Sequence, residues 1–550
     1  MARTLPLDID WVTCAAPDCR GAVCAPYDRC MAHLDAAELD SAVRALSPGS
    51  GLDLRGVVID ARLLGRVMAA LDDGRGRARM GRARFERAEF ACDARFCGAV
   101  FEGDASFGRA RFDRLATFYG ARFAGNVAFC EVRFARELSF HDVTVAGHAA
   151  FERIVVARDA LFGESRFGRT VSFRGARFDG FAAFDQAVFA AGASFRGVRF
   201  ERAASFRKAV FQGPAGFEAT RFGARTYLSP ASAGCGLALT GARAAGSLDV
   251  QAHGCAIDLR AAQVTGPLTL RLTDGEADLE GTVLRGGGTL TGRGSARVLS
   301  LRGVEAERLT LTGVDLSACR FSGLRHPEGV SLSGCVFPTT PKGVRVGLRW
   351  PPLRWSSPRR VLADENDWRD WRERQDRRRT RDRQDKRDKR DKRDGRGTRD
   401  RRGRRERDLA RAEEALSGVR PPAAPPPSAA EELAFLYRGL SKALDDAHTA
   451  DDFAFGAMEV RRLTSLGAGR WLLAAYWLVC GYGLRMRRAL GWSALIAAVA
   501  AGFVMVTSAS HAVRAPARPS PSSVRTPEVL QGTSVPASPV LGDDYRDGSG

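Results

Sequence analysis

The chain has 550 residues, 45% apolar and 27% charged, which leaves room for several domains and is too apolar for disorder throughout. Its net charge of +20 is uneven: residues 369–411 hold 22 basic side chains against 11 acidic, and residues 81–223 hold 22 against 16. Twelve cysteines, many standing alone as Cys130, Cys255, Cys319 and Cys335 do, exclude a secreted disulfide framework, and Met1 to Asp10 lacks the apolar core of a signal peptide, so a reducing compartment is expected.

Residues 1–80 read as a Cys/His knuckle and a helical cap. Cys14, Cys19, Cys30 and His33 have the spacing C-x4-C-x10-C-x2-H, with Gly21 and Pro26 available for the turns. Three thiolates and an imidazole suit tetrahedral zinc, and four protein ligands close such a site, which makes its role structural. Cys24 is a fifth candidate ligand, and a set of reduced, unligated thiols is the alternative reading. Helices are expected over 36–46 and 61–71, ended by Pro48-Gly49 and by Asp72-Asp73-Gly74. Leu52, Leu54 and Val57 between them form a strand of an opening coil.

Residues 81–223 carry the repeat. Phe85, Phe96, Phe107 and every eleventh residue onward to Phe217 are phenylalanine. A second set, Phe90 to Phe222 at the same interval, lies five residues behind the first and is broken only by Val145 and Val156. Small or aliphatic residues sit two before most of these rings, as Ala83, Ala94, Ala105 and Val127 do. Apolar residues at i−2 and i describe a short strand facing a core. A helix would scatter rings spaced by steps of five and six.

This stretch resembles the pentapeptide-repeat family, and the resemblance implies a right-handed quadrilateral β-helix with the i and i−2 side chains inward. Alternating steps of five and six depart from the strict five-residue unit, so a four-sided coil takes twice the eleven-residue period, with the extra residue bulging at alternate corners. The rod is Phe-cored. In residues 224–337 the phenylalanines give way to leucines spaced by about 20, as Leu239, Leu259, Leu279 and Leu301 are, with alternating phrases such as LTLRL. A Leu-cored continuation of the β-helix is expected, with a separate β-sandwich as the alternative.

Residues 338–430 read as a Pro/Arg-rich and charged low-complexity linker. The run over 369–411 has almost nothing to bury, so it is expected to be a solvated spacer, and its alternative is a patch for nucleic acid or anionic lipid. Residues 431–489 form a helical juxtamembrane region. Within it Trp471 to Gly483 is too short to span a bilayer and suits an interfacial or half-inserted helix. Residues 490–513 are uncharged and read as a transmembrane helix, with a buried soluble helix as the alternative. Arg485, Arg487 and Arg488 place the upstream side in the cytoplasm, and residues 514–550 form a disordered external tail. The expected location is therefore the cell membrane, crossed once, with the N-terminal bulk cytoplasmic.

The order of knuckle, rod, a DFxxGxMExRR helix (Asp452, Phe453, Gly456, Met458, Glu459, Arg461, Arg462) and a YWLxxGYGLRxxRALGW phrase resembles actinobacterial-type pentapeptide-repeat membrane proteins. That resemblance implies architecture more than activity. The expected function is a non-enzymatic, membrane-tethered scaffold that binds an unidentified protein partner, with no small-molecule substrate. Its alternative is contact with anionic lipid or nucleic acid through the basic linker and rod. The nucleic-acid mimicry known in the family needs an acidic rod, which this one is not. More remote are an ion channel, prompted by VCGYG at 479–483, and an enzyme of unrecognised type.

Overall fold

The computed structural model describes residues 9–230, 232–234, 236–340, 343–346, 353–356, 358–393, 429–465, 467–484 and 486–512. The charge run beyond 393, the Pro-rich stretch up to 428 and the external tail lie outside the described residues. The chain divides into two units, one ending at Leu484 and the other starting at Arg485.

Short parallel strands wind into a solenoid whose walls are three sheets of twelve strands and one of eight. In one coil the four faces are Ala105–Ser106, Arg111–Phe112, Ala116–Thr117 and Arg122–Phe123, numbered here first to fourth. From Ala83 to Thr226 each strand of this section pairs with its counterpart one coil on at an interval of 22, so Ala105 lies beside Val127 and Arg111 beside Arg133. Because side chains alternate along an extended backbone, Ala105 and Phe107 point inward and Ser106 outward. Every phenylalanine of the two sequence series is buried, and rings of one face stack: Phe107 lies 4.8 Å from Phe85 and 4.6 Å from Phe129, nearly parallel to both. Rings of opposite faces meet edge to face, as Phe107 of the first and Phe118 of the third do at 5.6 Å. Val145 and Val156 fall in successive coils, half a turn apart, and the ring of Phe140 lies 5.9 Å from Phe123 and 6.4 Å from Phe167 there.

Steps of five and six make different corners. After a five-residue step the chain turns through a left-handed residue, Arg109 (φ 58°) between the first and second faces and Gly120 (φ 63°) between the third and fourth. The six-residue corners use an extra residue instead. There the coils approach so closely that a Cβ on Gly147 would lie 2.4 Å from the carbonyl oxygen of Gly125 in the coil before it. Hydroxyls at some i−2 positions stay satisfied in the core: Thr220 donates to the Phe195 carbonyl at 2.8 Å and Thr282 to that of Leu259 at 2.9 Å.

The four-sided section does not run the length of the rod. The fourth sheet stops at Ser232–Ala233 while the other three continue. From Leu237 the coil is three-sided, because the third strand lengthens to six residues, as in Leu268–Thr273, and runs straight past the place of the former corner. Strands here first pair at an interval of 20, Leu268 beside Leu248 and Ile257 beside Ala277, and further on at 21 or 22, as Gly288 beside Leu309 and Val283 beside Glu305 do. The β-sandwich alternative does not hold, and the quadrilateral expectation is corrected for this half. At the transition a hollow of about 420 Å³ opens on the first face, between Gly216, Gly236, Asp258 and Asp278.

Both ends are covered. The first coil opens at Leu52–Asp53 and Val58–Ile59, where the strand of an opening coil is expected from Leu52, Leu54 and Val57, and pairs with Ala83–Arg84 and Glu89–Phe90. Helices α1 (Ala36–Arg44) and α2 (Ala61–Ala70) start at Asp35 and Asp60, whose carboxylates accept the free N–H groups of their first turns. At the other end the last strand, Val330–Ser333, would leave an open edge. Leu332 instead donates to the carbonyl of Ala443 at 2.9 Å, in the turn between α4 (Ala429–Leu440) and α5 (Ala447–Thr464). Phe453 of α5 packs on Phe337 at 5.0 Å and on Tyr437 at 5.3 Å. Helix α3 (Ala363–Arg393) precedes α4, and its first turn belongs to this lower cap. The linker expected from 338 therefore does not begin there: Arg359, Val361, Leu362 and Trp368 are buried.

Helix α6 (Ala468–Cys480) is short and exposes Trp471 and Leu472. The following VCGYG phrase closes in a 3-10 turn whose Tyr482 is buried, its hydroxyl donating to Glu459 at 3.1 Å. In the second unit, α7 (Met486–Ala512) exposes Ile496, Val499, Phe503 and Met505. Among the described residues no helix is long and apolar enough to cross a membrane. The span expected over 490–513 is thus not found, and Val513 lies outside the described residues.

Candidate functional site

Folding brings the four predicted ligands together. An antiparallel bridge between Thr13 and Ala22 places Cys14 and Cys19 on one loop, where Cys14 donates its N–H to the Gly21 carbonyl at 2.8 Å. Cys30 caps a 3-10 turn, Met31–His33, which carries His33 back to the same spot. Gly21 is required between them, since a Cβ there would lie 2.9 Å from the Cβ of Cys30.

The ligand atoms of Cys14, Cys19, Cys30 and His33 all lie within 4.8 Å of one another. His33 Nδ1 is 3.5 Å from Cys14 Sγ and 3.4 Å from Cys30 Sγ, and the sulfurs of Cys19 and Cys30 are 3.7 Å apart. An ion bound tetrahedrally at about 2.3 Å from each sulfur would space the sulfurs about 3.8 Å apart, so the donor set fits zinc. Backbone N–H groups of Ala16 and Gly21 point at Cys14 and Cys19, as thiolates need. Burial pushes the Cys14 thiol up, but the backbone N–H groups of Cys30 and Ala16, with His33 and Cys19, outweigh it and bring it down to about 7. Burial dominates at Cys30, which is pushed up to about 12. Cys24 stands apart from the cluster, half-buried, with burial raising its thiol. The knuckle is bound to the rod: Ala22 donates to the Arg55 carbonyl at 2.7 Å, and the Arg55 guanidinium lies over the Trp11 ring.

A second polar cluster escaped sequence reasoning. Arg359 and Glu365 form an ion pair buried at the rod's lower end, and the Tyr437 hydroxyl donates to Glu365 while accepting the Leu362 N–H at 3.0 Å. Burial raises the Tyr437 hydroxyl well above its ordinary range. Asp364 accepts from the backbone of Phe321 and Ser322 at 2.8 and 3.1 Å, stitching α3 to the last coil. The signal was present in VLADENDW, an apolar pair and a tryptophan just before the charge run.

The DFxxGxMExRR residues serve the same cap. Asp452 accepts from the Arg360 backbone at 2.8 Å, and a Cβ on Gly456 would lie within 3.0 Å of Tyr437 and of Arg359. Burial would raise Glu459, yet Arg462, Arg359 and the Tyr482 hydroxyl hold it below the usual carboxylate range. These carboxylates and cations bind segments to one another. Nothing in their arrangement aims a nucleophile and a base at a common point.

Residues 97–144 match the family model for pentapeptide repeats, in nine copies. No curated protein and no solved structure matches the chain. The matched residues lie inside the four-sided section, whose register runs unbroken from Ala83 to Ala238. Within this β-solenoid, residues 97–144 are pentapeptide repeats.

Proposed function

We propose that the protein is a non-enzymatic scaffold, tethered to a membrane, whose rod presents a rigid cytoplasmic surface to protein partners. One observation carries the reading: the inward positions of the coils are taken mostly by apolar side chains, and strand stacking sets the outward ones on a lattice of about 4.8 Å. A surface so fixed suits recognition, because little side-chain and backbone freedom is lost on binding. Tethering is assigned to residues 490–513, uncharged in sequence and preceded by Arg485, Arg487 and Arg488. Cross-linking in native membranes, followed by mass spectrometry of the linked peptides, tests both parts. Reproducible protein neighbours linked to outward rod residues support the scaffold. Recovery of the chain in the soluble fraction, or links to the charge run alone, contradicts it.

The knuckle is proposed to hold one structural zinc through Cys14, Cys19, Cys30 and His33. It would fix the loop that covers the first coil. Metal analysis of the purified chain should return about one zinc per molecule, and Cys14→Ser with Cys30→Ser should abolish it. No metal in the unaltered protein sinks the assignment.

A further inference from the structure

The second face carries a charge pattern that the core does not require. Its outward positions read Arg111, Arg133, Val155, Arg177, Arg199, Arg221 and Arg243, paired coil on coil in register. Strands one coil apart lie about 4.8 Å from each other, and like charges directly opposite destabilise a sheet. Four arginines in succession therefore work against folding. Asp113 takes Arg111, and Asp179 and Glu201 take Arg177. Among the described residues Arg133, Arg199, Arg221 and Arg243 are exposed and make no ion pair. Exposed Arg114, Arg136, Arg158 and Arg202 line the corner beside the column. At the outward strand positions the same coils put Ser172 and Ser194 on the first face and Ala183 and Tyr227 on the third, so on the strands the cations fall on the second face, while Arg174, Arg196, Arg207 and Lys208 lie at other corners.

We propose that this arginine column is a docking surface for the phosphate headgroups of an anionic bilayer. In-register pairing on one sheet sets these arginines in a single row, and the stacked rings of that face stay within 9° of parallel from one coil to the next between Phe178 and Phe222, so these coils do not tilt. A straight row of cations can meet a planar anionic surface along its whole length. A DNA duplex laid beside it would turn its phosphates away within about half a turn, roughly 17 Å. Single-stranded nucleic acid is read with aromatic platforms, and the column carries no aromatic side chain. The proposal goes beyond the scaffold reading and does not need it.

The test uses the full chain and two kinds of vesicle, phosphatidylcholine alone and phosphatidylcholine with about 30% phosphatidylserine. The quantity read is the ratio of the two partition coefficients. Arg199→Gln, Arg221→Gln and Arg243→Gln together should lower that ratio on the order of a hundredfold, since each basic residue at an anionic leaflet is worth about fivefold. The three corresponding Arg→Lys changes should keep most of it. Arg122→Gln, Arg293→Gln and Arg308→Gln, which remove equal charge from other faces, should move it by no more than about tenfold. Matching circular dichroism spectra establish that each variant is folded. Equal losses from the two glutamine triples, or no loss from either, overturn the proposal. Binding of a short fluorescent DNA duplex that depends on the column, with vesicle binding that does not, reassigns the surface to nucleic acid and overturns it too. Neutral vesicles report on residues 490–513 independently, so a failed tether and a failed column give different results.

Discussion

Two kinds of coil stand on the same three sheets in this rod, one repeating at an interval of 22 and the other opening at 20 and running at 20 to 22, yet the first has four sides and the second three. In the four-sided section a residue such as Arg109 or Gly120 turns the chain in the left-handed region after each five-residue step. In the three-sided section an alternating run such as Leu268, Leu270 and Leu272 keeps three side chains inward on one straight strand, and a corner disappears. Ring size follows the change: the larger section encloses stacked phenylalanines, the smaller one leucines. Cross-section is thus set by where apolar residues fall along the chain, through the corners they permit.

The largest expected effect comes from emptying the two cores. Phe184 stacks at 4.9 Å on Phe162 and 4.7 Å on Phe206, so Phe184→Ala should cost about 3–5 kcal/mol. Leu270→Ala in the three-sided section should cost about 2–5 kcal/mol. Chemical denaturation gives the totals, and amide exchange shows whether each loss stays in its own section or spreads, as nearest-neighbour coupling in a solenoid would have it. Equal protection loss along the whole rod would erase the distinction between sections.

Next in size is the lower cap, which only the three-sided end possesses. Tyr437→Phe removes the acceptor of the buried Leu362 N–H and a donor to Glu365, and should cost about 1–3 kcal/mol. Exchange should quicken at Val330–Ser333 and not at Leu52–Asp53.

Smaller still, the two corner types can be told apart. Gly147→Ala forces backbone apart between coils and should cost about 1–3 kcal/mol, whereas Gly120→Ala meets nothing within 4 Å and bears only the left-handed penalty of about 1 kcal/mol. A reversed order in thermal unfolding would mean that the corners are misassigned.

The smallest effect is one of pH. The Thr449 hydroxyl and then Arg360 hold the Asp446 carboxyl down to about 2. Its folded pKa lies below the unfolded value of about 3.9, so the stability it gives is present above about pH 4 and is lost as pH falls toward 2. Asp446→Asn should therefore lower stability slightly at neutral pH and leave it unchanged at pH 2.

Much of this was legible in the sequence because the repeat is redundant. Two interleaved rows of phenylalanine admit one backbone path, and the ligand spacing at Cys14, Cys19, Cys30 and His33 named the residues that the fold brings together. The loss of a side was harder to see. LTLRLT states the alternation, but whether a six-residue run bends or stays straight depends on the strand stacked beneath it. The lower cap was hidden for a different reason. Arg359 and Glu365 sit beside a long charge run, and sequence alone does not tell a pair that will be buried from its solvated neighbours; only Tyr437, 72 residues from Glu365, makes the difference. The arginine column was invisible because its members lie a whole coil apart in the chain and become neighbours only once the register is known.

Paired cysteines placed at outward positions read that register most directly. Neighbouring strands at about 4.8 Å lie within the Cα separation a disulfide accepts. Oxidation and peptide mapping should link Ser172→Cys to Ser194→Cys, which pair at an interval of 22, and Asp258→Cys to Asp278→Cys, which pair at 20. A Ser172→Cys and Gly192→Cys pair, or an Asp258→Cys and Glu280→Cys pair, should stay reduced. Linkage at a single common interval in both sections would contradict the change from four sides to three.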